Sequence, residues 1–99
     1  SVRYIIFKED NTWYGVALEF NIVEEGSDPQ KVMYSLFEAI QGYVETAQKL
    51  KMRPMPLNQI PDAEYQKLWE KLEKEKKEKN LLPKNIFNMG QFSPYAMAQ

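Results

Sequence analysis

One predicted helix, from Asp28 to about Lys51, constrains the fold of this chain more than any other segment. Asp28 can accept hydrogen bonds from amides of the first turn, and Pro29 suits the first helical position, where no N–H is needed. Behind this start, apolar residues recur at spacings of three and four. They form two neighbouring rows, with Val32, Leu36, Ile40, Tyr43, Ala47 and Leu50 in one and Met33, Phe37 and Val44 in the other. A helix with so wide an apolar face must cover a sheet, another helix, or both.

The segment before this helix predicts a small antiparallel sheet. It is rich in β-branched and aromatic residues, and a polar turn at residues 9–12 divides it. The part after the turn runs from Trp13 to about Glu25, roughly twice the length of a typical strand, so we expect a break near residues 19–21. Two tight connections then make a β-β-β-α meander, with strands near residues 2–8, 13–18 and 21–25.

Strand alternation divides the side chains of the first hairpin between two faces, and both faces are apolar. If Lys8 lies opposite Trp13, the face expected under the long helix carries Ile5, Phe7, Tyr14, Val16 and Leu18. The outer face would then carry Tyr4, Ile6, Trp13 and Ala17. An ordinary one-sided sheet has polar groups there. Either a few surface aromatics are tolerated on this face, or the face binds a partner or a second copy.

Two further segments follow the long helix. Prolines exclude a helix over residues 52–57 and allow at most a short fourth strand at an edge of the sheet. A second helix is predicted after Asp62, which is a good N-cap. Its apolar stripe is formed by Tyr65, Leu68, Trp69 and Leu72. From Glu73 to Lys79 this helix contains only glutamate and lysine, which is typical of a solvent-exposed helix.

The last segment, residues 81–99, has only one charged residue, Lys84, and is rich in apolar residues. A disordered tail would be polar or highly charged, so this segment should dock on the second helix or on a neighbouring subunit. Pro83, Gly90 and Pro94 interrupt it, and we therefore expect an extended arm and no further regular element. The aromatic residues that we expect to dock are Phe87, Phe92 and Tyr95. The predicted class is α+β, with one long packed helix, a C-terminal helix and this arm.

The composition excludes several kinds of chemistry. The chain has 99 residues, enough for one domain with one core, and contains neither cysteine nor histidine. Disulfides, thiolate chemistry and the commonest ligands of zinc and copper are therefore absent. No phosphate loop or nucleophile motif is present, so we expect no enzyme activity, no catalytic residue, no cofactor and no metal site. No apolar run could cross a bilayer and no signal pattern opens the chain, which predicts a soluble cytoplasmic protein.

Charge is unevenly distributed along the chain, whose net charge is −1. The first thirty residues carry two basic and six acidic side chains, which favours a basic partner for this end over nucleic acid. Glu19, Glu24 and Glu25 are the acidic candidates for such contact. They are also the candidates for acid–base or Mg²⁺ chemistry, but alternation places Glu24 and Glu25 on opposite faces, which argues against a shared site. The lysine-rich second helix is an alternative surface for nucleic acid, although its glutamates cancel its lysines.

Residues 2–57 contain a set of motifs separated by characteristic spacings. It consists of the aromatic hairpin from Trp13 to Asp28, the helix residues Val32, Leu36, Glu38-Ala39-Ile40 and Tyr43-Val44-Glu45, and finally Pro54-Met55-Pro56. This pattern resembles that of the HicB-like antitoxin family. Asp28 stands where the family commonly has threonine, and Pro29-Gln30-Lys31 stands where an acidic pair is usual. Both departures preserve the helix cap.

The resemblance implies a three-stranded sheet with one packed helix, and a chain that forms homo-oligomers. It also implies a partner, a small basic ribonuclease toxin of the HicA type, whose catalytic histidine the antitoxin covers. Many members add a C-terminal DNA-binding segment, which residues 58–99 do not show. The alternatives are a stand-alone oligomeric protein with this fold and a nucleic-acid-binding regulator. We divide the chain into a HicB-like domain at 1–57, a helix at 58–80 and an arm at 81–99.

The residues predicted to contact a partner come from three places: the outer face of the sheet, the acidic segment and the arm. They are Tyr4, Ile6, Trp13, Glu19, Glu24, Glu25, Phe87, Phe92 and Tyr95.

Overall fold

A computed structural model describes residues 1–50 and 60–94 and shows a four-stranded antiparallel sheet with one helix on each face. Its elements in chain order are β1 (Val2–Glu9), β2 (Thr12–Ala17), β3 (Ile22–Gly26), α1 (Pro29–Lys49), α2 (Ala63–Lys79) and β4 (Ile86–Phe92). The strand order is β3-β2-β1-β4. The predicted α+β class, with its meander, long helix and C-terminal helix, is confirmed. The edge strand allowed over residues 52–57 lies outside the described residues.

Helix α1 begins where the sequence predicted. The Asp28 carboxylate accepts hydrogen bonds from the backbone N–H groups of Gln30 at 2.9 Å and Lys31 at 3.4 Å, and Pro29 occupies the first turn. These contacts satisfy amides that have no partner within the helix. The buried side of α1 consists of Val32, Leu36, Ile40, Val44 and Ala47.

The break predicted near residues 19–21 is a 3₁₀ turn over Leu18–Phe20. Asn21 ends it in the left-handed conformation (φ 52°), which asparagine tolerates better than most residues. The Asn21 side chain also holds the start of the second helix. Its amide donates to the Ile60 carbonyl at 3.0 Å, and its oxygen accepts from the Asp62 N–H at 3.1 Å. Asp62 in turn caps α2 by accepting from the Glu64 N–H at 2.9 Å, as predicted.

The hairpin has the predicted register, with Lys8 opposite Trp13, but the predicted assignment of its faces to the helices is wrong. The long helix α1 covers the face that carries Ile6 and Ala17, with Tyr4 and Trp13 at its border. The face that was expected under α1 is covered by α2 instead, through Trp69 and Leu72. This second face carries Ile5, Phe7, Val16 and Leu18, with Tyr14 partly buried beside them.

Close packing of α1 on β2 gives the physical reason for this arrangement. A Cβ atom on Gly15 would lie 3.0 Å from Cγ1 of Val32 and 3.1 Å from Cδ1 of Ile6. The glycine thus lets the helix approach the sheet more closely than a larger residue would allow. Ala17 is the other small residue on this face, so the α1 face of β2 is shaped for a close helix.

The C-terminal arm is more regular than predicted. Residues Ile86–Phe92 form β4, which pairs antiparallel with β1 and so docks on the chain itself. The expectation of no further regular element was therefore wrong. The register places Asn88 opposite Ile6 and Ile86 opposite Phe7, which leaves Phe87 as the extra residue of a β-bulge. Pro83 and Pro94 lie outside the strand and mark its limits.

Neither helix in the described part of the chain has the length and hydropathy that a membrane span requires.

Two glycine substitutions test this packing. Gly42→Ala should raise the free energy of unfolding by about 0.5–1 kcal/mol, because Gly42 is exposed in the middle of α1 and a Cβ there meets nothing within 4 Å. Gly15→Val should lower it by about 1–3 kcal/mol, because its side chain would overlap Val32 and Ile6. Urea unfolding followed by circular dichroism measures both changes. A neutral Gly15→Val would contradict the close approach of α1.

Candidate functional site

The predicted contact residues do not form one surface. Ile6 has no exposed area because α1 covers it, so it cannot touch a partner in this fold. Tyr4 and Trp13 are half-buried at the border of the same core. Tyr95 lies outside the described residues. The outer face proposed from the sequence is therefore the internal interface between the sheet and α1.

Tyr4 and Phe92 belong to an aromatic cluster that joins α1 to the β4 side of the sheet. The Tyr4 ring lies 5.1 Å from Phe37 and 5.9 Å from Phe92, and Phe37 and Phe92 are 5.5 Å apart, all measured between centroids. The Tyr4 ring also lies over Gly90, where a Cβ would come within 3.0 Å of its Cε1 atom. Gly90 therefore accommodates an aromatic ring, and these side chains hold the fold together.

Trp13 and Phe87 meet at the far end of the hairpin. Their rings are in edge-to-face contact with centroids 6.1 Å apart, and the Lys8 ammonium lies 5.9 Å from the Trp13 centroid. Phe87 is 44% exposed because it sits on the bulge of β4. Of the aromatic candidates in the described part of the chain, Phe87 is the most open to solvent.

Glu19 is held in an ion pair with Arg3, and the two side chains are 17% and 19% exposed. Its carboxylate accepts from the Arg3 backbone N–H at 2.7 Å, from Nε at 2.8 Å and from Nη2 at 2.6 Å. Arg3 Nη2 also donates to the Gln66 side chain of α2 at 2.7 Å, and the guanidinium lies 5.5 Å from the Trp69 ring centroid. This network ties β1, the 3₁₀ turn and α2 together, so the role of Glu19 here is structural.

Glu24 and Glu25 lie on β3, an edge strand of the sheet in the described part of the chain. They pair with Gly15 and Tyr14, so their side chains lie on opposite faces, as alternation predicted. Glu24 is half-buried on the α1 face, while Glu25 is exposed on the other face beside Val23, which is 45% exposed. Neither Val23 nor Glu25 belongs to the core that α2 forms on that face. This edge of the described sheet therefore has one carboxylate on each face and one open apolar side chain, and we call Val23, Glu24 and Glu25 the β3 patch.

The carboxylates do not converge. Among the described residues, no three acidic side chains come close enough to hold a metal ion. Glu19 is bound to Arg3, and Glu24 and Glu25 point away from each other. These three carboxylates therefore form no shared acid–base pair.

Sequence reasoning missed three residues of this region. Arg3 and Gln66 complete the Glu19 network, and Val23 provides the apolar part of the β3 patch. Arg3 carried a usable signal, since it is a charged residue inside an apolar strand and such a residue requires a partner.

A scan against protein-family models found no match, and searches of the curated proteins and of the solved structures found no significant match either.

The Arg3 network can be tested by removing the cation. Arg3→Met leaves the Glu19 carboxylate partly buried with only the backbone N–H of residue 3 as a donor and without its cation, which should lower the free energy of unfolding by about 1–3 kcal/mol. Glu25→Gln is the control, since that side chain is exposed and the change should stay within about 0.5 kcal/mol. Equal effects of the two substitutions in urea titrations would contradict a structural role for the pair.

We expect the free energy of unfolding to fall at alkaline pH because of two tyrosines, Tyr4 and Tyr65. Burial raises the pKa of Tyr4 above its ordinary 10.0. Burial, and then the nearby Glu64 and Asp62, raise the pKa of Tyr65. Above about pH 10 the unfolded chain therefore ionises these groups before the folded chain does, and the free energy of unfolding falls as the pH rises. Urea titrations from pH 8 to 11 should show a shallower fall for the Tyr4→Phe/Tyr65→Phe variant. Identical slopes would refute this assignment.

Proposed function

We propose that this chain is a non-enzymatic, HicB-like interaction domain that assembles with copies of itself and binds a basic protein at the β3 patch. The observation that carries this proposal is the position of two acidic residues and an exposed valine on β3, an edge strand of the sheet formed by the described residues. Most of both faces of the sheet is already covered by the chain's own helices.

An edge strand is suited to protein contact because its outward N–H and C=O groups have no neighbour in the sheet. A partner strand or loop can pair with those groups, while side chains on either side supply specificity. Here the side chains are Glu24 on one face and Glu25 on the other. Lysine or arginine on the partner would find a carboxylate on either face, and such charge complementarity speeds association and selects the partner.

The resemblance over residues 2–57 supports a specific partner, a small basic ribonuclease toxin of the HicA type. In this proposal the acidic β3 patch attracts the toxin, and the bound antitoxin covers the toxin's active site. The charge of the first thirty residues agrees with this, since six acidic side chains oppose two basic ones. Of the three acidic candidates on or near β3, Glu19 is paired with Arg3, so Glu24 and Glu25 are the two that can supply the attraction at the β3 patch.

Charge reversal on the β3 patch tests the proposal. The tagged chain is used to capture its partner from the native host, and the purified partner is then titrated calorimetrically against three proteins. These are the unchanged chain, the Glu24→Lys/Glu25→Lys variant and a control variant, Glu38→Lys/Glu78→Lys, with the same change in net charge at exposed helix positions. The β3 variant should bind at least about tenfold more weakly, and the control should bind nearly as well as the unchanged chain.

The identity of the captured protein matters as much as the affinity. A small basic protein that degrades RNA, and that loses this activity when the chain is added, is the expected partner. Capture of no basic protein in stoichiometric amount would refute the proposed partner. Equal loss of binding in both charge-reversal variants would refute the β3 patch as its site.

A further inference from the structure

The two edges of the sheet, as the described residues form it, differ in their side chains. β3 has five residues, of which Glu24 and Glu25 are charged. β4 has seven residues and none is charged, and no charged residue follows Lys84 in the chain. Natural sheets protect their edges with charges, prolines, bulges or short strands, because an open edge invites another strand. β3 is short and charged, whereas β4 is longer and uncharged.

The protection that β4 does have is confined to its first residues. The bulge at Phe87 lies at one end, and from Asn88 to Phe92 the strand pairs with β1 in regular register. Alternate residues of this part direct their N–H and C=O groups away from β1, and no other strand in the described part of the chain takes them up. The side chains of Phe87 and Gln91 are exposed along this edge. A regular run of unpaired backbone groups is therefore available to another strand.

We infer that β4 pairs with β4 of a second copy of this chain, antiparallel and about a two-fold axis, so that the four described strands of each copy join into one continuous sheet. The inference rests on the self-association in the proposed function and names the surface that performs it. An antiparallel edge is self-complementary under a two-fold axis, since each copy offers the same strand in the opposite direction.

Charge and shape favour a second copy over another kind of partner at this edge. The residues of β4 carry no charge, and the charged side chains that line the groove beside Met89 and Gly90, which are Glu73, Lys76 and Lys77 of α2, are of both signs. A basic protein, by contrast, finds no carboxylate on β4 and two on β3. Helix α1 packs chiefly on β2 and β3, so its axis lies away from the β4 edge. Pairing of β4 with β4 would leave the β3 patch of each copy at an outer edge, free to bind a partner.

One added charge at each edge distinguishes a dimer formed through β4 from a dimer formed through β3. Gln91→Lys places a lysine on the β4 edge, and Val23→Lys places one on the β3 edge, both at exposed positions and with the same change in net charge. Sedimentation velocity over a range of concentrations gives the dimer dissociation constant of the unchanged chain and of each variant. Gln91→Lys should raise it at least about tenfold, because the lysines of two copies are brought together, and Val23→Lys should leave it nearly unchanged. Because Arg3 lies opposite Gln91 in the same chain, urea unfolding of Gln91→Lys, which should match that of Val23→Lys, separates loss of the interface from loss of the fold.

Hydrogen exchange provides a second measurement without any substitution. If β4 forms the interface, protection of the amides of residues 86–92 should increase with protein concentration, while that of β3 should not. A dimer weakened by Val23→Lys but not by Gln91→Lys would overturn the β4 interface and leave self-association standing. A chain that sediments as a monomer at every concentration would overturn both, without bearing on partner binding at the β3 patch.

Discussion

The structure depends on the burial of β1 on both of its faces. Val2, Ile5 and Ile6 have no exposed surface. Because Ile5 and Ile6 are consecutive in a strand, they project to opposite sides of the sheet, and each needs a cover of its own. Helix α1 covers the Ile6 side and helix α2 the Ile5 side. Strands β2 and β4 take up the backbone groups of β1 on its two edges. The second helix and the C-terminal strand therefore complete the fold.

The two helices that cover the sheet bury unequal numbers of side chains, and this difference explains the position of the Arg3 network. Helix α1 buries five side chains, while α2 buries Trp69 and Leu72 and continues into a charged end. Each buried large apolar side chain contributes about 1.5–3 kcal/mol, so α2 has much less apolar burial to fix it on the sheet. Hydrogen bonds depend on direction, whereas apolar contacts do not, so hydrogen bonds can fix the position of a helix that buries few side chains. The Arg3 guanidinium, which binds Glu19 and Gln66 and lies on Trp69, therefore sets the position of α2 as well as its stability.

The local features of the fold could be predicted from sequence because their causes are local. The Asp28 cap, the hairpin register and the break before Asn21 each depend on a few adjacent residues. The assignment of faces failed because both faces of the hairpin are apolar, and alternation alone does not say which helix covers which. A better signal was present in Gly15 and Ala17, the small residues on one face, which leave room for a closely packed helix. Similarly, Gly90 was interpreted as a break, but its missing side chain leaves space for the Tyr4 ring.

Among the three candidate carboxylates too, the features set by neighbouring residues could be predicted and the feature set by a distant residue could not. Strand alternation correctly separated Glu24 from Glu25. No local pattern could show that Glu19 binds a residue sixteen positions away, and this pairing removes it from the exposed acidic surface. Because the helices cover most of both faces, the backbone groups still open to another protein lie at the two sheet edges of the described structure. Glu24 and Glu25 are on one of these edges, while the strand at the other edge carries no charge, so the two edges differ in charge. Part of the negative charge that the sequence shows in the N-terminal region thus lies along one edge of the described sheet, while the strand at the other edge is uncharged.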